Sequence, residues 1–124
     1  MGWFRRLFSG SGEDGQPIAE PHLDAELRRS QLVALESALS ALIQAMSQPP
    51  SPLDNPGWQG KIRDYNWVCG QIRTLIEGTI THDGVYDLIL GVQPVFRGEV
   101  PEAYAYIEPL QREVLDAVRA MQNS

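Results

Sequence analysis

Leu32, Leu35, Leu39, Leu42 and Met46 recur at alternating spacings of three and four residues. That spacing lines one side of an α-helix, so the segment must bury a continuous apolar stripe against other elements. Val33, Ile43 and several alanines widen the stripe. The pattern predicts a first helix over residues 21–47. Pro21 suits a first-turn position, and Asp24 and Glu26 favour the positive end of the helix dipole. Gln48-Pro49-Pro50-Ser51-Pro52 ends the helix, because successive prolines lack the backbone donors that would continue it.

The same logic repeats twice. Asn55-Pro56 reads as an N-cap followed by proline in the first turn. Trp58, Ile62, Tyr65, Cys69, Ile72 and Ile76 then alternate in steps of four and three, with Val68 and Leu75 beside the seam and Gly78 as the stop. Gly60 and Gly70 weaken intrinsic helicity, and Gly70 suggests a close helix contact. A shorter helix is expected over 83–92, with Val85, Leu88, Ile89 and Val92 as its apolar face and Thr81 or Asp83 as its cap. Val95-Phe96-Arg97-Gly98 reads as a loop or turn. The last helix is expected over 101–121 on Tyr104, Ile107, Leu110, Val114, Ala117, Val118 and Met121. Pro109 inside that stripe predicts a kink or a restart. No segment alternates with the period of a strand and no hairpin signal separates apolar runs. The expected fold is all-α: a small antiparallel bundle of three long helices and one short one over residues 21–124. The length of these stripes beside so short a third helix would leave part of them open and favour self-association as a homo-oligomer.

The N-terminal 20 residues read differently, as an apolar and basic tip on a tether. Trp3, Phe4, Leu7 and Phe8 surround Arg5 and Arg6, and Ser9-Gly10-Ser11-Gly12-Glu13-Asp14-Gly15-Gln16-Pro17 follows. Residues 1–12 carry a charge of +2, and the remainder, with eight basic and sixteen acidic side chains, carries −8. An acidic body repels phosphate backbones, so nucleic-acid binding is not expected. A start in which Gly, Ser and acids arrive where an apolar signal core belongs gives a cytoplasmic expectation. No run approaches the length of a membrane span. Position 6 is arginine where a myristoylation pattern wants Ser or Thr.

Catalytic chemistry finds little support in the chain. Cys69 lies mid-helix on the apolar seam, where it reads as a small core residue rather than a nucleophile. His82-Asp83-Gly84 leaves a metal short of ligands, since His22 is the only other histidine and is distant in sequence. Glu99, Glu102, Glu108, Glu113 and Asp116 crowd the last third without a Glu-x-x-His, and Arg112 and Arg119 lie close enough to neutralise them, so they read as a solvated face. Gly57-Trp58-Gln59-Gly60-Lys61 lacks phosphate-loop spacing. Neither a cofactor nor a metal is expected.

Two aromatic features point to an interface. Trp67 stands roughly 160° around its helix from Tyr65 at about 100° per residue, away from the seam. It is either covered by another helix or by residues 93–100, or it is an exposed anchor for a protein partner. At the tip, taken as a helix, Trp3, Phe4, Leu7 and Phe8 share one side with Arg5 and Arg6 toward the other. Burying the four gains on the order of 6–12 kcal/mol, and ordering about eight residues costs about 8–16 kcal/mol. A single tip would therefore hold a membrane surface only weakly. The expected function is a non-enzymatic adaptor or structural subunit. It docks on a protein partner through Trp3, Phe4, Arg5, Arg6, Leu7 and Phe8, with Trp67 as a further contact. Weak peripheral attachment to a membrane through the same tip is the first alternative, and a small-molecule site between helices is the second.

Overall fold

The computed structural model describes residues 24–123, and the N-terminal tip therefore lies outside the described residues. Four helices follow one another: α1 (Ala25–Met46), α2 (Pro56–Glu77), α3 (His82–Leu90) and α4 (Glu108–Gln122), with a 3₁₀ segment (Glu102–Ile107) leading into α4. No strand occurs among the described residues. The all-α bundle expected from the periodicity is the fold observed.

α1, α2 and α3 each begin at a capping side chain, whereas α4 has none. The Asp24 side chain accepts from the Leu27 amide, Asn55 from that of Trp58, and Thr81 from that of Gly84. Each satisfies one of the amides that a helix N-terminus leaves without an internal partner. Pro109 restarts the last helix rather than kinking it. The chain turns as 3₁₀ through Ile107, with Tyr104 off helical geometry at φ −117° and ψ 25°, and becomes α-helical at Glu108.

α1 is the strut of the bundle, packing on both α2 and α4, while α3 packs on α2. Its stripe of Leu32, Leu35, Leu39, Leu42 and Met46 is completely buried, each side chain worth roughly 1.5–3 kcal/mol of apolar transfer. Val33, expected to widen that stripe, is instead 51% exposed. Polar contacts fix the antiparallel directions. Glu36 pairs with Arg73 at 2.6 Å between α1 and α2, and the Trp58 indole N–H donates to the Met46 carbonyl at 2.8 Å. At the other pole, Arg28 Nη1 donates to the Met121 carbonyl at 2.8 Å and Gln31 to that of Ala120 at 3.3 Å. The starts of α1 and α3 and the ends of α2 and α4 thus share one pole.

α3 approaches α2 closely. A Cβ on Gly84 would stand 2.9 Å from Leu75 Cδ2 and from the capping Thr81 Oγ1, so any larger residue there would have to push these two side chains aside. Gly70, by contrast, makes no close helix contact: a Cβ there would meet nothing within 4 Å. Its place is on the open face of α2.

Residues 91–101 complete the bundle where α3 stops. Val92 is buried, Val95 and Phe96 pack against the core, and Gly98 turns the chain at φ 82°. Gln111, itself buried, holds this segment to α4. Its Oε1 accepts from the Phe96 amide at 2.9 Å and its Nε2 donates to the Phe96 carbonyl at 3.2 Å. The α1 stripe is consequently covered along its length, and α2 keeps only partial exposure at Ile62, Leu75 and Ile76. An open stripe on α1, one reason to expect self-association, is not found.

Removing the Gln111 amide leaves both Phe96 backbone groups without their protein partners. Gln111→Ala should cost about 1–3 kcal/mol. In urea denaturation the midpoint should fall while the slope of the transition stays unchanged.

Candidate functional site

Three aromatic side chains carry polar groups into the bundle, and each finds a partner. The Trp58 indole takes the Met46 carbonyl at the end of α1. The Tyr65 hydroxyl donates to the Gln93 carbonyl. The Ser51 hydroxyl donates to the Ala45 carbonyl at 3.0 Å, so the Tyr106 hydroxyl donates to Ser51 at 2.7 Å. Around these bonds the rings form one cluster. Phe96 stacks on Tyr104 with centroids 5.6 Å apart, Trp58 lies 5.5 Å from Tyr104 and 6.0 Å from Phe96, and Tyr106 lies 6.4 Å from Tyr104. The rings pack against one another, with Trp58 buried and Phe96, Tyr104 and Tyr106 half-buried at the edge of the core. Trp58 is the tryptophan that the 91–101 segment covers.

Trp67 is treated differently. It is 62% exposed on the outer side of α2, where neither another helix nor residues 93–100 cover it. Gly70, one turn on, leaves the surface beside the indole open. Arg63, one turn before, is also exposed. A large flat ring on a capped, 22-residue helix is held without the entropy loss that a loop residue would suffer on binding. The six tip residues Trp3, Phe4, Arg5, Arg6, Leu7 and Phe8 lie outside the described residues, so their relation to Trp67 is not part of this geometry.

The groups that could have carried chemistry stand in structural settings. Cys69 is buried on α2. Burial pushes its thiol above the ordinary range, the nearby Glu36 carboxylate adds to this, and Arg73 opposes it. A raised thiol pKa is the opposite of what an activated nucleophile needs. His82 is exposed in the first turn of α3. The C-terminal carboxylates form a solvated face in which Arg112 pairs with Glu108 at 2.9 Å and Arg119 with Asp116 at 2.8 Å. No group of His, Cys, Asp and Glu that could hold a metal occurs among the described residues. Among them, too, no helix is long and apolar enough to cross a membrane.

Comparison with protein families, curated proteins and solved structures finds no match to this chain.

Some features escape a reading by apolar periodicity. Gln111 and Arg28 occupy stripe positions, four residues after Ile107 and four before Leu32. A polar side chain at such a position signals a buried hydrogen bond, and that signal was available. Tyr86 and Leu90 are more than half exposed on α3, at 55% and 56%. They stand one turn apart on a helix whose apolar positions otherwise face inward.

Tyr65 supplies a test of the core. Burial, followed by the Asp64 carboxylate, pushes its phenol from 10.0 up to about 12. Between those values the unfolded chain releases the proton and the folded chain keeps it, so stability falls as pH rises through this window. Alkaline titration of phenolate absorbance should show one of the four tyrosines ionising only with unfolding. Tyr65→Phe should flatten the loss of urea midpoint over the same pH range.

Proposed function

We propose that this chain is a non-enzymatic helical-bundle adaptor or structural subunit that docks on a protein partner. Its contacts are the N-terminal residues Trp3, Phe4, Arg5, Arg6, Leu7 and Phe8, together with Trp67. The observation that carries this reading is the exposure of Trp67 on a rigid helix, beside the open position of Gly70. Tryptophan is costly to leave in water, and it is the residue type that most often anchors protein interfaces. The buried settings of Cys69 and Tyr65 and the paired carboxylates of α4 favour a binding role over catalysis. Arg5, Arg6 and Arg63 would contribute orientation and association rate more than affinity.

Trp67→Ala removes ring area without touching the core. Its stability should stay within about 0.5 kcal/mol of the parent. An anchor of this type contributes about 2 kcal/mol or more to binding, which is roughly a 30-fold loss of affinity. Affinity capture with the full chain, with Trp67→Ala and with Trp3→Ser/Phe4→Ser, quantified by mass spectrometry, should show the same proteins depleted in both variants. Equal recovery by all three forms would overturn the proposal.

A further inference from the structure

The exposed large apolar side chains among the described residues are Leu27, Val33, Leu53, Trp67, Tyr86 and Leu90. Of these, only Tyr86 and Leu90 stand four residues apart on one helix and so make a continuous apolar strip. Asp83 and Asp87 flank that strip along α3, both exposed. At about 100° per residue they lie roughly 60° and 100° around from Tyr86, toward the side of Leu90. His82 is the sole basic group on the helix. The face is therefore an apolar ridge with a carboxylate border.

We propose that this face of α3 is the docking surface for the chain's own N-terminal segment, residues 3–8. Leu27 and Leu53 stand singly, and charge favours the α3 strip over Trp67 and Val33. Trp67 has Arg63 one turn before it, and Val33 has Arg29 one turn before it, all exposed. Asp64 also lies within one turn of Trp67 and Glu36 within one turn of Val33, so those surfaces carry no net charge to attract Arg5 and Arg6, whereas Asp83 and Asp87 do. Trp3, Phe4, Leu7 and Phe8 meet Tyr86 and Leu90, and the arginines meet the carboxylates. Geometry agrees. α1 and α3 begin at the same pole, and fifteen residues lie between Phe8 and Asp24, a span of sixteen Cα–Cα steps. That length of chain spans at most roughly 50–60 Å, and α1 itself is only about 33 Å long, so the segment reaches the face without straining its link to α1. The inference rests on the reading of residues 3–8 as a docking element. It gives that element a resting place within the molecule, from which a partner would have to displace it.

The test uses the isolated full-length chain, labelled with ¹⁵N. Arg5→Glu/Arg6→Glu should shift the amide resonances of α3 and leave those near Trp67 and Val33 in place. Asp83→Lys/Asp87→Lys should move the Trp3 indole resonance, and combining the four substitutions should return it toward its original position. Because Asp83 lies in the first turn of α3, Tyr86→Ser/Leu90→Ser provides a second reading that leaves that turn intact, and it too should move the Trp3 indole. A Trp3 resonance indifferent to all changes on α3 would overturn the proposal, as would a perturbation from Arg5→Glu/Arg6→Glu falling on another surface. Shifts that scale with protein concentration would assign the occupant to a second copy and overturn the intramolecular contact. No partner is present in this experiment, so its failure is distinguishable from a failure of the capture experiment.

Discussion

A nine-residue helix has to complete a bundle whose other members include two of 22 residues, a mismatch of about 20 Å in length. Residues 91–101 make up the difference with irregular backbone, and irregular backbone brings amides and carbonyls that no helix satisfies. The side chains facing it supply the partners. Tyr65 donates to Gln93 from α2, and Gln111 pairs with both backbone groups of Phe96 from α4. Once the segment is tied on both sides, Val92, Val95 and Phe96 can lie against the core and Trp58 can be covered. The aromatic pole depends on those bonds.

A second set of polar contacts fixes how far the helices slide along one another. A leucine stripe nearly repeats with each helical turn, so apolar packing discriminates weakly against a shift of one turn, about 5.4 Å. Hydrogen bonds to helix ends do not tolerate such a shift. Ser51 and Trp58 take the Ala45 and Met46 carbonyls at the end of α1, and Arg28 and Gln31 take the Met121 and Ala120 carbonyls at the end of α4. A cation at a helix C-terminus also opposes the negative end of the helix dipole. The leucines supply the driving force, and these bonds select the register.

The helices were legible because their signals are local. Asn55-Pro56 and Gly78 bound α2 as expected, and Pro109 marks the restart of the last helix. Boundaries moved where tertiary packing or cap choice decided. Asp24 caps α1 instead of lying within it, and α3 begins at His82 because Thr81 caps it. Trp67 facing outward followed from its angular position alone, but whether something covered it depended on the path of residues 91–101, which periodicity does not encode. Val33 and Gly70 were misjudged because width of stripe and smallness of residue say nothing about which elements lie opposite. The six N-terminal residues of the candidate interface were conspicuous in composition, and they lie outside the described residues. The ridge on α3 was missed because Tyr86 and Leu90 look like ordinary members of an apolar run until the helix is seen from outside.

The Arg28–Met121 bond brings the first turn of α1 against the last turn of α4. Asp24 and Asn123, the two ends of the described chain, therefore lie on the same side of the domain, while the aromatic cluster lies at the opposite one. The bundle is polar in the geometric sense: one pole holds both ends of the described chain, and the other holds the aromatic cluster. Two such domains attached to a common scaffold through either end would present the same surface outward.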